Sequence, residues 1–246
     1  MSHEQLSVRT RDGDCPVHVF TPQGAGPWPA AIFFMDGLGI RPILFDMGQR
    51  LADAGYVVLL PDLYYRAGPY EPLDPKAVFA SNDVRAAIGH LYSTTGNRRA
   101  AEDTEAFLAL IDSRKDVSGS KIGTTGYCMG GGISLTVAGT YPDRVAAAAS
   151  FHGGGLASDS DESPHLLAPK MKAQVYVAGA DQDDSYPLEM AEKLEKTLTD
   201  AKVDHRCEIY EGALHGWTMA DFPIYNEPAA ERHWRELLAL FKETLA

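Results

Sequence analysis

The 246-residue chain holds no apolar run near the ~18 residues needed to span a bilayer, so a transmembrane protein is not expected. It is short of basic residues, with 22 Lys and Arg against 34 Asp and Glu, a formal charge of −12. A field of that sign repels phosphate backbones, and no basic, aromatic-interleaved stripe offsets it, so nucleic acid is excluded as an expected partner. Cysteine is scarce. Cys15, Cys128 and Cys207 form no CxxC pair and no Cys/His cluster at zinc spacing, so neither a metal nor a cofactor is expected. The opening MSHEQLSVRT has no basic segment followed by an apolar core, so no secretory signal is read. An odd number of thiols without a signal fits a reducing compartment, and the expected location is cytoplasmic. Repeats, low-complexity tracts and linkers are also missing, so residues 1–246 are read as one domain, a monomer or small homo-oligomer. A domain of this size buries roughly 70–75% of its unfolded surface.

What is present is an alternation of short apolar runs with longer helical patterns. The runs are Ala30–Met35, Tyr56–Leu60, Lys121–Tyr127, Val145–Phe151, Gln174–Ala178 and Arg206–Tyr210. Near-continuous apolar character marks strands buried on both faces of a largely parallel sheet. Val17–Phe20, ended by Thr21-Pro22, reads as an antiparallel edge strand. Helices are expected around Leu44–Ala54, Asp83–Tyr92, Ala101–Ser113, Gly132–Thr140, Leu188–Thr199 and Ala229–Thr244. In the last, Trp234, Leu237, Leu238 and Phe241 share one helical face. The expected fold class is α/β, with a mostly parallel sheet flanked by helices and no large cap domain. Ligands of such sheets bind beyond the carboxyl ends of the strands.

The richest segment is KIGTTGYCMGGGISLTVAG. A strand pattern enters Gly126-Tyr127-Cys128-Met129-Gly130 and a helical pattern leaves it, the G-x-nucleophile-x-G elbow of an α/β-hydrolase with cysteine in the serine position. Glycines two residues either side of the nucleophile remove side chains where strand and helix approach. Backbone N–H groups at the helix start, beginning with Met129, face a developing oxyanion. The plainer reading, a buried cysteine beside a glycine-rich turn, fits Cys15 and Cys207 better.

A thiol near its free pKa of ~8.5 needs a base or positive neighbour at neutral pH. His215, between Gly212 and Gly216 after the last expected strand, is the candidate base. His152 also follows a strand and is a candidate lining residue. The orienting carboxylate should come between nucleophile and histidine in the chain. Three aspartates compete there: Asp184 is placed to cap the next helix, Asp183 is preferred, and Asp181 is next.

Together these segments resemble the dienelactone hydrolase family, small α/β-hydrolases with a Cys-Asp-His triad, along nearly the whole chain. The elbow Gly-Tyr-Cys128-Met-Gly-Gly is similar to the family's own. The family's catalytic aspartate stands four residues before a proline, which here selects Asp183 ahead of Pro187, and His215 matches its histidine. Phe33-Phe-Met-Asp36-Gly-Leu-Gly resembles the loop after its third strand. There the resemblance implies a second oxyanion N–H from Gly37, and Asp36 in place of a glutamate near the thiol. Pro61-Asp-Leu-Tyr-Tyr-Arg66 is similar to a stretch whose arginine holds the substrate carboxylate, which implies that role for Arg66. A second such arginine is replaced by Met219, which favours a less charged ester or lactone. Tyr64 and Trp217 are candidates for an aromatic pocket or for the core. The implied activity is hydrolysis of a small activated ester or lactone through a thioester. The rivals are a binding protein that kept the scaffold without turnover, and a thiol redox enzyme, which would need a resolving cysteine.

Overall fold

The computed structural model describes residues 2–81 and 83–245. Eight strands form a single sheet: β1 (Ser2–Arg9), β2 (Asp14–Thr21), β3 (Trp28–Phe34), β4 (Val57–Pro61), β5 (Val117–Tyr127), β6 (Val145–Phe151), β7 (Gln174–Ala180) and β8 (His205–Tyr210). Their spatial order is β1-β2-β4-β3-β5-β6-β7-β8. Only the β1–β2 and β2–β4 pairs are antiparallel; every neighbour from β4 to β8 is parallel. The helices are α1 (Pro42–Asp53), α2 (Pro75–Ala80), α3 (Val84–Tyr92), α4 (Asn97–Ser113), α5 (Met129–Thr140), α6 (Leu188–Asp200) and α7 (Glu227–Leu245).

Successive residues of β5 show how both faces are covered, since side chains alternate across a sheet. A Cβ on Gly123 would meet Phe241 of α7 at 2.7 Å, whereas the next residue, Thr124, bonds Ser134 of α5 through their hydroxyls at 2.9 Å. The helix that carries the nucleophile candidate therefore lies on one face and the C-terminal helix on the other. Of the expected stripe on α7, Trp234, Leu237 and Phe241 are buried and Leu238 is partly buried.

Two features depart from expectation. Val17–Phe20 lies in a strand, antiparallel as read, but it is not at the edge. β1 covers it on one side and β4 on the other. β1 was invisible because its residues are polar and only Val8 is buried, the pattern of an exposed edge rather than of a core strand. Helix α2 was also missed. Its six residues are too few for periodicity, although Asp74 caps it by accepting from the Lys76 N–H and Pro75 opens it.

Because β3 to β8 run parallel, their carboxyl ends open along one edge of the sheet. The segments after β3 (Asp36, Gly37), β5 (Cys128), β6 (His152), β7 (Asp183) and β8 (His215) all emerge there.

Candidate active site

Cys128 has φ 53° and ψ −115° between the last residue of β5 and the first of α5. Only a residue held from both sides keeps such a conformation without being glycine. The surrounding contacts show what holds it. A Cβ on Gly126 would stand 1.8 Å from the Gly130 carbonyl oxygen, and one on Gly130 would stand 2.3 Å from the Phe34 carbonyl oxygen. No other residue fits either position. The turn thus depends on the two flanking glycines, and it leaves the Cys128 side chain only partly buried.

His215 arrives from the loop after β8. Its Nδ1 lies 2.6 Å from Asp183 Oδ2. The other Asp183 oxygen accepts from the Ser185 N–H (2.8 Å) and hydroxyl (2.5 Å). With its second oxygen so occupied, Asp183 presents one fixed acceptor, which assigns the Nδ1 proton to that bond and turns Nε2 outward. The Cys128 side chain lies near enough to act on the charge of the imidazole. Burial alone would lower the His215 pKa. Its interactions with Cys128 and with the Asp183 carboxylate outweigh burial and raise the pKa to about 10. Burial works against ionisation of Asp183 as well, but the bonds from His215 and Ser185 hold its pKa below the usual carboxylate value. Asp181 points elsewhere and accepts the Gly212 N–H at 3.2 Å, while Asp184 is exposed. Ser185 was not singled out in the sequence; its signal was the Asp-x-Ser spacing of a side-chain-to-backbone turn.

The Met129 and Gly37 N–H groups make no hydrogen bond to another described residue outside regular elements, and Met129 occupies the first position of α5, where helical N–H groups lack partners. Tyr64 is fully buried and donates to the Gly37 carbonyl at 2.7 Å, which fixes the peptide next to that N–H. Ile88 of α3 would contact a Cβ on Gly37 at 3.1 Å, so the short α2–α3 segment covers this side of the site.

The profile of the dienelactone hydrolase family matches residues 15–245. The chain belongs to this family. Two provisionally named carboxymethylenebutenolidases are among its relatives. That of Synechocystis sp. is 28% identical over 229 residues, 91% of this chain and 89% of the relative. That of Escherichia coli K12 is 27% identical over 241 residues, 96% and 85%. Among solved structures, a provisionally assigned dienelactone hydrolase from Klebsiella pneumoniae superposes with a TM-score of 0.84 at 23% identity, covering 98% of both chains. A dienelactone hydrolase-like promiscuous phosphotriesterase from metagenomic libraries superposes with 0.78 at 21%, covering 100% of this chain and 99% of that one. These two likenesses establish the fold.

Against the dienelactone hydrolase pattern, Asp36 and Arg66 have partners that the sequence did not reveal, and Trp217 takes the core alternative. Asp36 does not engage the thiol. Both its oxygens are taken by Arg41, at 2.7 and 2.8 Å, and Oδ1 also accepts the Leu38 N–H. Arg66 is engaged by carboxylates of the chain itself. Its guanidinium grips Asp103 of α4 with two bonds of 2.8 and 2.9 Å and also bonds Asp12. Trp217 is fully buried, stacked on Tyr210 at 5.2 Å and set edge-on to His152 at 4.9 Å, and so belongs to the core beneath the site. Met219 is fully buried as well. His152 lies under the elbow rather than lining an open pocket, with its ring 5.2 Å from that of His215. Among the described residues no group of three or more His, Cys, Asp or Glu could hold a metal, and no helix is long and apolar enough to cross a membrane.

Proposed function

We propose that this member of the dienelactone hydrolase family is a carboxylic ester hydrolase that cleaves small activated esters or lactones through Cys128, with the whole chain acting as one catalytic domain. The observation that carries the proposal is His215, bonded through Nδ1 to Asp183 at 2.6 Å, with its pKa raised by Cys128 and by that carboxylate. A histidine so held keeps its proton beside a thiolate, and Asp183 fixes which nitrogen carries it. Because Asp36 is neutralised by Arg41, His215 is the thiol's partner before substrate arrives.

In this mechanism the thiolate attacks the carbonyl carbon, and the carbonyl oxygen becomes an oxyanion held by the Met129 and Gly37 N–H groups. The intermediate collapses to a thioester as the alcohol or enol leaves with the His215 proton. A water then gives its proton to His215 Nε2, attacks the thioester and releases the acid. Thiolate is itself a good leaving group, so the first intermediate reverts unless the alcohol departs at least as easily. Enol esters, aryl esters and lactones satisfy this condition and amides do not, which disfavours peptidase activity.

Steady turnover of a p-nitrophenyl ester or an enol lactone is expected, and Cys128→Ala should abolish it. Equal turnover by that variant would overturn the proposal. An intact, folded protein that binds such esters without turnover would instead favour a ligand-binding role on the same scaffold.

A further inference from the structure

His152 has features that the triad does not explain. Its backbone is at φ 40°, a left-handed conformation that costs a non-glycine residue free energy, and its N–H is held by the Ala178 carbonyl at 2.8 Å. The side chain is fully buried. Its Nδ1 lies 3.1 Å from the Cys128 backbone nitrogen, and its Nε2 lies 2.7 Å from Thr218 Oγ1. An amide N–H can only donate, so Nδ1 must carry the lone pair and Nε2 the proton, which is donated to Thr218. Both ring nitrogens are thereby assigned, and the ring must be neutral. A proton on Nδ1 would oppose two donors and set a second cation beside His215. Burial, together with the charges of His215 and His233, pushes the pKa of His152 far down, in the direction this geometry needs.

The two ends of this ring touch the two halves of the reacting pair. Cys128 is the nucleophile candidate, and Thr218 lies three residues after His215 in the same loop. The packing between α5 and the β6 loop is equally close. A Cβ on Gly131 would stand 2.9 Å from the Gly153 Cα, so the elbow and His152 cannot shift independently.

We infer that His152 is a positioning residue, a neutral strut that ties the backbone of Cys128 to the His215 loop through Thr218 and so sets the spacing of thiol and imidazole. This role rests on the proposed function of the same site. It also explains why the Cys128 N–H turns inward, shared between His152 and the Phe151 carbonyl at 3.1 Å, and leaves the oxyanion to Met129 and Gly37.

The test uses three variants of the full chain. His152→Phe keeps a flat ring and removes both bonds. His152→Asn keeps an acceptor near the Nδ1 position and tolerates positive φ, but it cannot reach Thr218. Thr218→Val cuts the far end and leaves the elbow untouched. Misplacement of reacting groups by a fraction of an ångström to an ångström lowers kcat by roughly 10- to 100-fold. We expect that loss in His152→Phe with KM changed by less than about threefold, a smaller loss in His152→Asn, and about tenfold in Thr218→Val. The rate of Cys128 alkylation by iodoacetamide at neutral pH should fall in the same order. Wild-type kcat and alkylation rate in folded Thr218→Val would overturn the strut, as would equal kinetics in His152→Asn and wild type. If His152→Phe does not fold, those two variants decide the matter. Turnover that survives Cys128→Ala would refute the hydrolase reading itself, whereas loss of turnover in Cys128→Ala with unaffected Thr218→Val would refute the strut alone.

Discussion

Arg41 offers the sharpest test of how the site is held. All five guanidinium N–H groups are used: Nη1 on Asp36 and the Gly39 carbonyl, Nη2 on Asp36 and Asp221, and Nε on Asp221. The Arg41 and Asp36 side chains are each 2% exposed, and the Asp221 side chain is 29% exposed. Phe222 lies over the guanidinium at 5.0 Å and carries Phe79 from the α2 cover at 4.9 Å. One arginine therefore joins the oxyanion loop, the segment after His215 and the covering helices. Arg41→Met keeps the volume and strands the Asp36 carboxylate in the interior. Breaking a buried pair in this way costs about 3–5 kcal/mol, most of it from the unpaired charge. Asp221 can return to water and adds little. With a urea dependence on the order of 3 kcal/mol per M, the unfolding midpoint should fall by roughly 1–1.7 M. The double variant Arg41→Met/Asp36→Asn removes the stranded charge, keeps an acceptor for the Leu38 N–H and should recover at least half of the loss. Urea unfolding followed by tryptophan fluorescence reads all three proteins. A loss below about 1 kcal/mol in the single variant, or a double variant no more stable than the single, would refute the reasoning.

Three further outcomes are expected. Asp183→Asn presents a donor to His215 Nδ1 and should lower kcat on a p-nitrophenyl ester by on the order of 10³, the consequence of the wrong tautomer; Asp181→Asn should leave kcat within about threefold, under roughly 0.7 kcal/mol. Arg66→Ala should destabilise the chain, because Asp103, with 1% of its side chain exposed, loses both bonds, while the ratio of activities on acidic and neutral esters stays unchanged. A selective loss on acidic esters would restore the clamp role. Because the His215 pKa is raised from 6.5 to about 10 in the folded chain, its contribution to stability is complete below pH 6.5 and is lost as pH rises towards 10. The gap in urea midpoint between wild type and His215→Asn should accordingly narrow over that window; a gap that does not change with pH would contradict it.

The elbow was legible in the sequence because its causes are local. Gly126 and Gly130 are glycines for contacts made within the turn or directly beneath it, so spacing alone revealed them. His215 and Asp183 were candidates by chain order and strand placement; the resemblance's spacing to Pro187 favoured Asp183 over Asp181, and the 2.6 Å contact to His215 is made by Asp183. The buried strands declared themselves by continuous apolar runs, and β1 stayed hidden because an edge strand has little to bury. What the sequence did not reveal are contacts that depend on partners remote in the chain. Arg66 looked free because Asp103 lies 37 residues away, and Asp36 looked available because its partner Arg41 owes its own placement to Asp221, 180 residues on. The position of His152 after a strand was visible. Its bonds to Cys128 and Thr218 depend on a loop arrangement that no local pattern encodes.

The account depends most on the sulfur of residue 128 as the atom that carries the acyl group. Rapid quench of the wild-type chain with p-nitrophenyl acetate, followed by intact and peptide mass spectrometry, measures this directly. One acetyl group on the peptide containing Cys128, formed within the first turnover and accumulating when His215 is replaced more slowly than it is lost in wild type, is the predicted result. Acetyl on another residue, or full turnover with residue 128 unmodified throughout, would contradict it.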